Sequence, residues 1–306
     1  MSGASPARGA RPGVARLLLV SLRPGQWTKN LVVFAGLLFG HALFDPASVA
    51  LAVAAFIIFC ALSGVVYLVN DVLDREADRQ HPLKASRPLA SGALSPGTAL
   101  MAAVVLGAGA LAASLVISGR FAAVSATYLG LLALYSGPLK HIVIIDVLTI
   151  AVGFVLRAVA GAVAIAVPIS HWLLLCTILL ALFLALSKRR HEIVLLAGNA
   201  TGHRKILEEY SPYLLDQMIS VVTASTLIGY AFYTVDAETI EKFGTSLLGL
   251  TIPFPLYGIF RYLYLIHQKE QGGSPSDLLM NDRPLLACVA LWVATIVLIV
   301  YKPFGG

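Results

Sequence analysis

The sequence predicts an all-α, polytopic membrane protein: nine transmembrane helices in one bundle, the N-terminus cytoplasmic and the C-terminus outside. Three observations lead there. The 306 residues are 58% hydrophobic and only 12% charged, whereas an ordinary soluble chain carries about 25% charged residues. Mean hydropathy is +0.84, and apolar runs long enough to span a hydrocarbon core recur along almost the whole length. Lys and Arg fall almost entirely on alternate loops, which fixes the orientation.

Taken in order, residues 1–15 are rich in Ser, Ala, Gly, Pro and Arg and read as a mobile basic tail. No short apolar region with a small-residue cleavage site follows it, so no cleaved leader is expected. Residues 16–306 then form a single transmembrane domain. Apolar runs place spans at 27–44, 47–69, 96–118, 120–137, 142–167, 171–187, 212–235, 244–267 and 283–302. The first and fourth are short, and the fifth is long enough to tilt.

With the N-terminus inside, the inner segments hold eighteen of the basic residues, from Arg8 through Arg87, Lys140 and Arg190 to Arg204, Lys205 and Arg283. The outer ones hold only Arg120, Lys242 and Lys302. The net charge of +6 is therefore a topology signal, and nucleic acid is not an expected partner. Cys60, Cys176 and Cys288 each sit inside an apolar run with no metal-ligand spacing, and read as small buried hydrophobes. The long loops, about 70–95, 188–211 and 268–282, are all inner ones, which makes the cytoplasmic face the working face. There is no fixed-period repeat.

The most informative stretch is the loop after the second span. Asn70, Asp71, Asp74 and Asp78 spell N-D-x-x-D-x-x-x-D. On a helix turning roughly 100° per residue these four fall within an arc of about 100°, while Glu76 points away. Converging carboxylates repel unless a cation neutralises them. An all-oxygen set favours a hard ion, and Mg²⁺ characteristically shares one or two carboxylates with substrate phosphate oxygens. Lys84 and Arg87 follow, placed to meet remaining phosphate charge. The bland alternative is a solvated loop of helix-capping Asp residues.

At these residues the chain resembles the UbiA prenyltransferase superfamily, whose members have nine transmembrane helices and this motif between helices 2 and 3. The continuation H-P-x-K-x-x-R-P-L-A-x-G, His81 to Gly92, also matches. The opening R-P-x-Q-W-x-K-N, Arg23 to Asn30, resembles the branch that transfers phosphoribose to polyprenyl phosphate. So do Tyr135 to Asp146, Phe154 to Gly161, Ser187 to Glu192 and Asn281 to Pro284. One departure concerns the second Asp-rich motif of the aromatic prenyltransferases, D-x-x-x-D. The corresponding stretch here offers Lys140, His141 and a single acid, Asp146, so a second full metal cluster is not expected.

The resemblance implies a single transmembrane catalytic domain over 16–306, with Asp71, Asp74, Asp78 and Asp146 as catalytic residues. It implies Mg²⁺ held by Asn70, Asp71, Asp74 and Asp78. It implies substrate contacts from Arg23, Lys29, Asn30, Tyr67, Asn70, Lys84, Arg87, Tyr135, Lys140, Arg157, Lys188, Arg189 and Glu192. The implied partners are 5-phosphoribosyl 1-diphosphate, a polyprenyl phosphate and the bilayer, with a homo-oligomer also compatible. The implied place is the plasma membrane, with the active site facing the cytoplasm. An aromatic prenyltransferase is the alternative activity. A transporter is the remote one, because it would string ionisable residues through the membrane.

Several residues carry two readings. Thr149, Gly153 and Arg157 lie at i+3, i+7 and i+11 from Asp146 and share its face, with Arg157 roughly 16 Å deeper. A charge at that depth is by default functional if it faces the bundle interior. Its partners would be an acid, a bound phosphate or carbonyls, and it is otherwise a structural Arg. Lys188, Arg189 and Arg190 are either a positive-inside anchor or substrate contacts, and Lys188 pairs with Glu192 at i+4. Trp27 is an interfacial anchor or a site residue. Asp282 before Pro284 reads as the N-cap of the last span.

Overall fold

The computed structural model describes residues 13–80, 84–196, 209–269 and 275–301. Most of the basic tail, His81, Arg204, Lys205 and Lys302 lie outside the described residues. Everything described is helical or connecting chain. The helices are α1 (Val14–Ser21), α2 (Ala35–Phe39), α3 (Pro46–Leu73), α4 (Arg75–Gln80), α5 (Pro96–Ile117), α6 (Gly119–Ser136) and α7 (Ile145–Ala164). They continue with α8 (His171–Leu196), α9 (Pro212–Val235), α10 (Ala237–Phe243), α11 (Pro253–Gln268), α12 (Pro275–Asn281) and α13 (Arg283–Tyr301).

Among the described residues, six helices are long and apolar enough to cross a membrane: α3, α5, α7, α8, α9 and α13. A seventh counts if the pair bent by 99°, Ala237–Phe243 with Leu247–Gln268, is one span. The chain is thus a multi-pass helical membrane protein. Three of the nine expected spans are not among these six: 120–137 is a helix, α6, that falls short in apolar character, and 27–44 and 244–267 take another form. The run 27–44 is not one α-helix. It is a 3₁₀ helix over Pro24–Phe34 followed by the five residues of α2. Pro24 and Gly25 open it, and Thr28, Val32 and Val33 are β-branched, so α-propensity is low. The run 244–267 is broken, with a 3₁₀ turn at Leu247–Thr251 ahead of Pro253, which starts α11 at its first position.

Boundaries elsewhere follow capping chemistry. Asp45, Ser95, Ser118, Ser211 and Asp282 each accept a backbone N–H from three residues on, as N-caps do. The Asp282 cap is the one expected from its proline. Helix α8 runs past the expected end at 187, because Arg189 and Glu192 find partners while still helical.

Helix α7 is the hub of the bundle. Its buried face is built from Ala151, Gly153, Ala158, Ala160, Gly161, Ala162 and Ala164. Small residues let neighbouring backbones come close, which is how membrane helices gain packing energy without a hydrophobic drive. A Cβ on Gly161 would fall 1.8 Å from the Val33 carbonyl oxygen, and one on Gly36 would fall 2.8 Å from the Ala162 nitrogen. The 3₁₀ segment and α2 therefore lie against α7 in direct backbone contact. Phe59, Phe121 and Tyr128, all fully buried, fill the space beside it. This packing sets Asp146 at one end of α7 and Arg157 in its middle.

Candidate active site

The C-terminal turn of α3 and the short α4 carry the acidic motif. The helix breaks at Asp74, whose N–H still reaches the Asn70 carbonyl at 2.8 Å. The break turns the acids apart. Asp71 and Asp78 stay buried and face each other across Arg87, whose Nη1 lies 3.3 Å from Asp71 Oδ1 and 2.5 Å from Asp78 Oδ2. Arg23 also donates to Asp71, and its guanidinium stacks over the Tyr67 ring at 4.8 Å. Lys84 Nζ lies 3.7 Å from Asp78. Asp74, a third exposed, points elsewhere and accepts from Lys140 Nζ at 2.9 Å.

The single convergent arc expected for Asn70, Asp71, Asp74 and Asp78 is therefore not what the side chains form. Among the described residues, no three acidic, His or Cys side chains converge on one point fit for an ion. The reason is electrostatic. Arg23, Arg87, Lys84 and Lys140 neutralise the carboxylates pairwise. The donor set nevertheless suits Mg²⁺, since all its ligands are oxygens and two of the carboxylates share one bridging cation.

A second cluster centres on Asp146, fully buried in the first turn of α7. Arg189 Nε donates to Asp146 Oδ2 at 2.9 Å, its Nη1 to Glu192 at 2.6 Å and its Nη2 to the Tyr135 hydroxyl at 3.2 Å. Lys188 lies 3.7 Å from Glu192, the i,i+4 pair expected. Tyr210 completes the cluster. Its hydroxyl donates to Asp146 Oδ1 at 2.8 Å and accepts the Ile144 N–H at 2.7 Å. Ile144 has φ +69°, a strained value for a β-branched residue. Burial pushes the Tyr210 hydroxyl up to about 12, with the bond to Asp146 adding to the rise. The residues between α6 and α7 thus run from Lys140, tied to the first cluster, to Ile144, tied to the second.

Deeper in the bundle Arg157 is buried, as its face on α7 implied, along with Asp146, Thr149 and Gly153. Its Nε donates to Asn30 Oδ1 at 2.7 Å, Nη1 to the Gly153 carbonyl at 2.9 Å and Nη2 to the Tyr128 hydroxyl at 2.6 Å. The amide of Asn30 in turn faces Ser63 Oγ at 3.2 Å and Cys60 Sγ at 3.3 Å. The partners of Arg157 are thus neutral oxygens, not an acid. Lys29 stands between the clusters, within electrostatic reach of Lys188, Arg157 and Arg23, and of Asp277 on the other side of the balance.

The structure so brings together Arg23, Tyr67, Asp71, Asp74, Asp78, Lys84, Arg87 and Lys140 in one group, and Tyr135, Asp146, Lys188, Arg189 and Glu192 in another, while Asn70 meets the first group only through its carbonyl, which accepts the Asp74 N–H. Asn30 and Arg157 form a third, and Lys29 lies among all three. Sequence reasoning missed Tyr128 and Tyr210. Tyr128 offered a weak signal as a phenol inside an apolar run. Tyr210 offered none, because its partner lies 64 positions away.

A many-pass helical bundle with paired acids and bases gathered at one end defines a membrane protein whose candidate active site lies at that end. Residues 30–281 match the family model described as the UbiA prenyltransferase family. The chain belongs to the UbiA prenyltransferase family. It is 34% identical over 289 residues to a protein of Corynebacterium glutamicum named decaprenyl-phosphate phosphoribosyltransferase, covering 93% of this chain and 86% of that one. It is 33% identical over 309 residues to the protein of the same name from Mycolicibacterium smegmatis, covering 97% and 96%. A solved UbiA homologue from Archaeoglobus fulgidus, bound to GPP and Mg²⁺, superposes with a TM-score of 0.72 at 22% identity, covering 93% of this chain and 99% of that one. That likeness establishes the all-helical UbiA fold.

Proposed function

We propose that the protein transfers 5-phosphoribose from 5-phosphoribosyl 1-diphosphate to a polyprenyl phosphate, decaprenyl phosphate in the first instance, and releases diphosphate. The relatives' shared name supports this reading. The observation that carries it is the charge balance of the site: Arg23, Lys29, Lys84, Arg87, Lys140, Arg157, Lys188 and Arg189 outnumber the acids that face them. One metal-bound diphosphate does not call for that much positive charge. A donor bearing a second phosphate, meeting an acceptor that is itself a phosphate, does.

Asn70, Asp71, Asp74 and Asp78 would hold Mg²⁺, which when bound supplies charge neutralisation to the leaving diphosphate. Arg23, Lys84, Arg87 and Lys140, now spent on carboxylates, are then free to bond phosphate oxygens. As the C1–O bond to diphosphate breaks, the ribosyl centre becomes oxocarbenium-like. A polyprenyl phosphate oxygen forms the new bond from the opposite face. That oxygen is already anionic, so no strong general base is needed, and Asp146 positions Arg189 instead of moving a proton. Orientation and fixed charge supply most of the rate. The polyprenyl chain leaves the site sideways into lipid, and the working face is cytoplasmic, the orientation that the count of inner basic residues supports, with the plasma membrane as the proposed place.

The test is a two-by-two assay on purified protein with Mg²⁺. Labelled 5-phosphoribosyl 1-diphosphate is offered with decaprenyl phosphate, and a prenyl diphosphate with 4-hydroxybenzoate. Lipid-linked ribose phosphate in the first pair is expected. Product in the second pair alone would make the protein an aromatic prenyltransferase and end this reading.

A further inference from the structure

The outward face of α11 differs in kind from that of α5. Tyr257, Phe260 and Tyr264 are exposed at i, i+3 and i+7 and line one stripe. They are half of the exposed aromatic side chains among the described residues, whereas α5 exposes Leu, Met and Val. At the C-terminal end of the stripe two cations share one ring. The central carbon of Arg261 lies 5.2 Å from the Tyr264 ring centre, and Lys269 Nζ lies 5.9 Å from it. Arg261 is held from a second side. Its Nε and Nη2 donate to the Asp282 carboxylate at 3.2 and 2.8 Å, and Asp282 is itself fixed as the cap of α13. Of the five N–H groups of a guanidinium three remain. Lys269 is exposed, and no acid lies within 4.0 Å of it among the described residues. Two cations against one carboxylate leave net positive charge at the ring. A cation that only reaches for water needs no such fixing. A guanidinium held in one plane with donors to spare is the form that binds phosphate.

We propose that Arg261, Tyr264 and Lys269 bind the phosphate of an anionic bilayer phospholipid, whose acyl chains lie along Phe260 and Tyr257. None of these residues belongs to the three groups of the candidate active site, although they sit at the same end of the bundle. His267, two positions before Lys269, lies 3.9 Å from Asp216, which pairs with Arg190. Aromatic rings beside basic residues are the side chains of the headgroup boundary. From there the stripe runs back about 10 Å to Tyr257, the direction an acyl chain takes from its phosphate. Charge complementarity selects the lipid. A zwitterionic headgroup brings its own cation to a positive patch, whereas an anionic one brings net negative charge. The site is independent of the transfer reaction proposed above.

The experiment is native mass spectrometry of the full-length protein in detergent, titrated with phosphatidylglycerol or with phosphatidylcholine of the same acyl chains. Wild type is expected to retain one phosphatidylglycerol about fivefold or more tightly than phosphatidylcholine. Lys269→Gln and Arg261→Met should each weaken phosphatidylglycerol about fivefold, the share of one basic residue at an anionic surface, and leave phosphatidylcholine unchanged. Tyr264→Leu should weaken it about threefold through the lost ring. Lys242→Met, on α10, should change neither. Arg261→Met also takes the partner from Asp282, so Lys269→Gln, at an exposed helix end, decides if that variant folds poorly. Equal retention of the two lipids by wild type, or an unchanged preference in Lys269→Gln, would overturn the site. Two further outcomes would overturn it as well. Decaprenyl phosphate displacing phosphatidylglycerol at equal concentration would assign the cations to that lipid. A dimer mass that disappears in the variants would make the stripe a contact between copies of the chain.

Discussion

Tyr210 and Asp146 share a hydrogen bond of 2.8 Å that also holds a strained backbone in place. The same hydroxyl accepts the N–H of Ile144 at φ +69°. Replacing Tyr210 by Phe leaves a buried carboxylate oxygen and a backbone N–H without partners. The loss should be about 1–3 kcal/mol, read as a lower midpoint of thermal unfolding in detergent. Ile144→Gly in the same background removes the backbone strain and should recover part of it. The sign with pH follows from the raised hydroxyl, which stays protonated to about 12. The stabilisation is fully present below the ordinary tyrosine value of about 10 and is lost as pH rises through about 12. The gap between wild type and Tyr210→Phe should therefore be constant from neutral to mildly alkaline pH, and a gap that shrinks over that range would remove the role.

Arg189 and Asp146 are both closed to solvent. Breaking a buried pair by removing one partner typically destabilises by about 3–5 kcal/mol, and because Arg189 keeps Glu192 when Asp146 is lost, the lower end of that range applies. Asp146→Asn should therefore lower the unfolding midpoint more than Asp74→Asn does. Arg189→Met combined with Asp146→Leu should recover much of that loss while turnover stays absent. A double variant no more stable than the single would show that packing, not charge, holds this corner.

The acids and bases of the site were legible in the sequence, because their types and spacing are local. Asp71 and Asp78 do lie together, but across the break at Asp74 and joined by Arg87 instead of on one continuous helical face. The break at Asp74 was not legible, since no proline or glycine marks it, and the partner Asp74 takes there, Lys140, comes from another element. Six long helices and the cap at Asp282 were readable from apolar runs and turn chemistry. The form of the expected span 27–44 was not legible, because apolar content alone does not distinguish an α-helix from a 3₁₀ segment pressed against α7. The telling signal was Gly36 and Gly161, whose meaning appears only once the two chains touch.

That touch gives the third prediction. A Cβ at Gly161 would meet the Val33 carbonyl at 1.8 Å, and backbone cannot yield as a flexible side chain does. Val33 lies one 3₁₀ turn beyond Asn30, so the displaced segment would carry Asn30 away from Arg157. Gly161→Ala should lower stability by about 1–3 kcal/mol or more and reduce turnover as well. Gly109→Ala on α5, where a Cβ meets nothing within 4 Å, should be neutral or stabilising by about 0.4–1 kcal/mol. Equal effects from the two substitutions would rule out the close approach as the cause.

Asp74 offers the cleanest separation of chemistry from folding. It is a third exposed, and its pair with Lys140 is of the half-solvated kind worth about 0–1 kcal/mol. Asp71 and Asp78 are buried, and their loss would disturb Arg87 and Arg23 along with any metal. Asp74→Asn should therefore fold, with an unfolding midpoint close to that of wild type. If the carboxylate holds Mg²⁺ against a leaving diphosphate, turnover should still fall on the order of 100-fold or more, since losing a group that stabilises developing charge costs about that much. Raising Mg²⁺ should recover part of the rate if the defect is in metal affinity. Turnover at the wild-type level, with unchanged dependence on Mg²⁺, would take Asp74 out of the reaction and leave it as the anchor of Lys140.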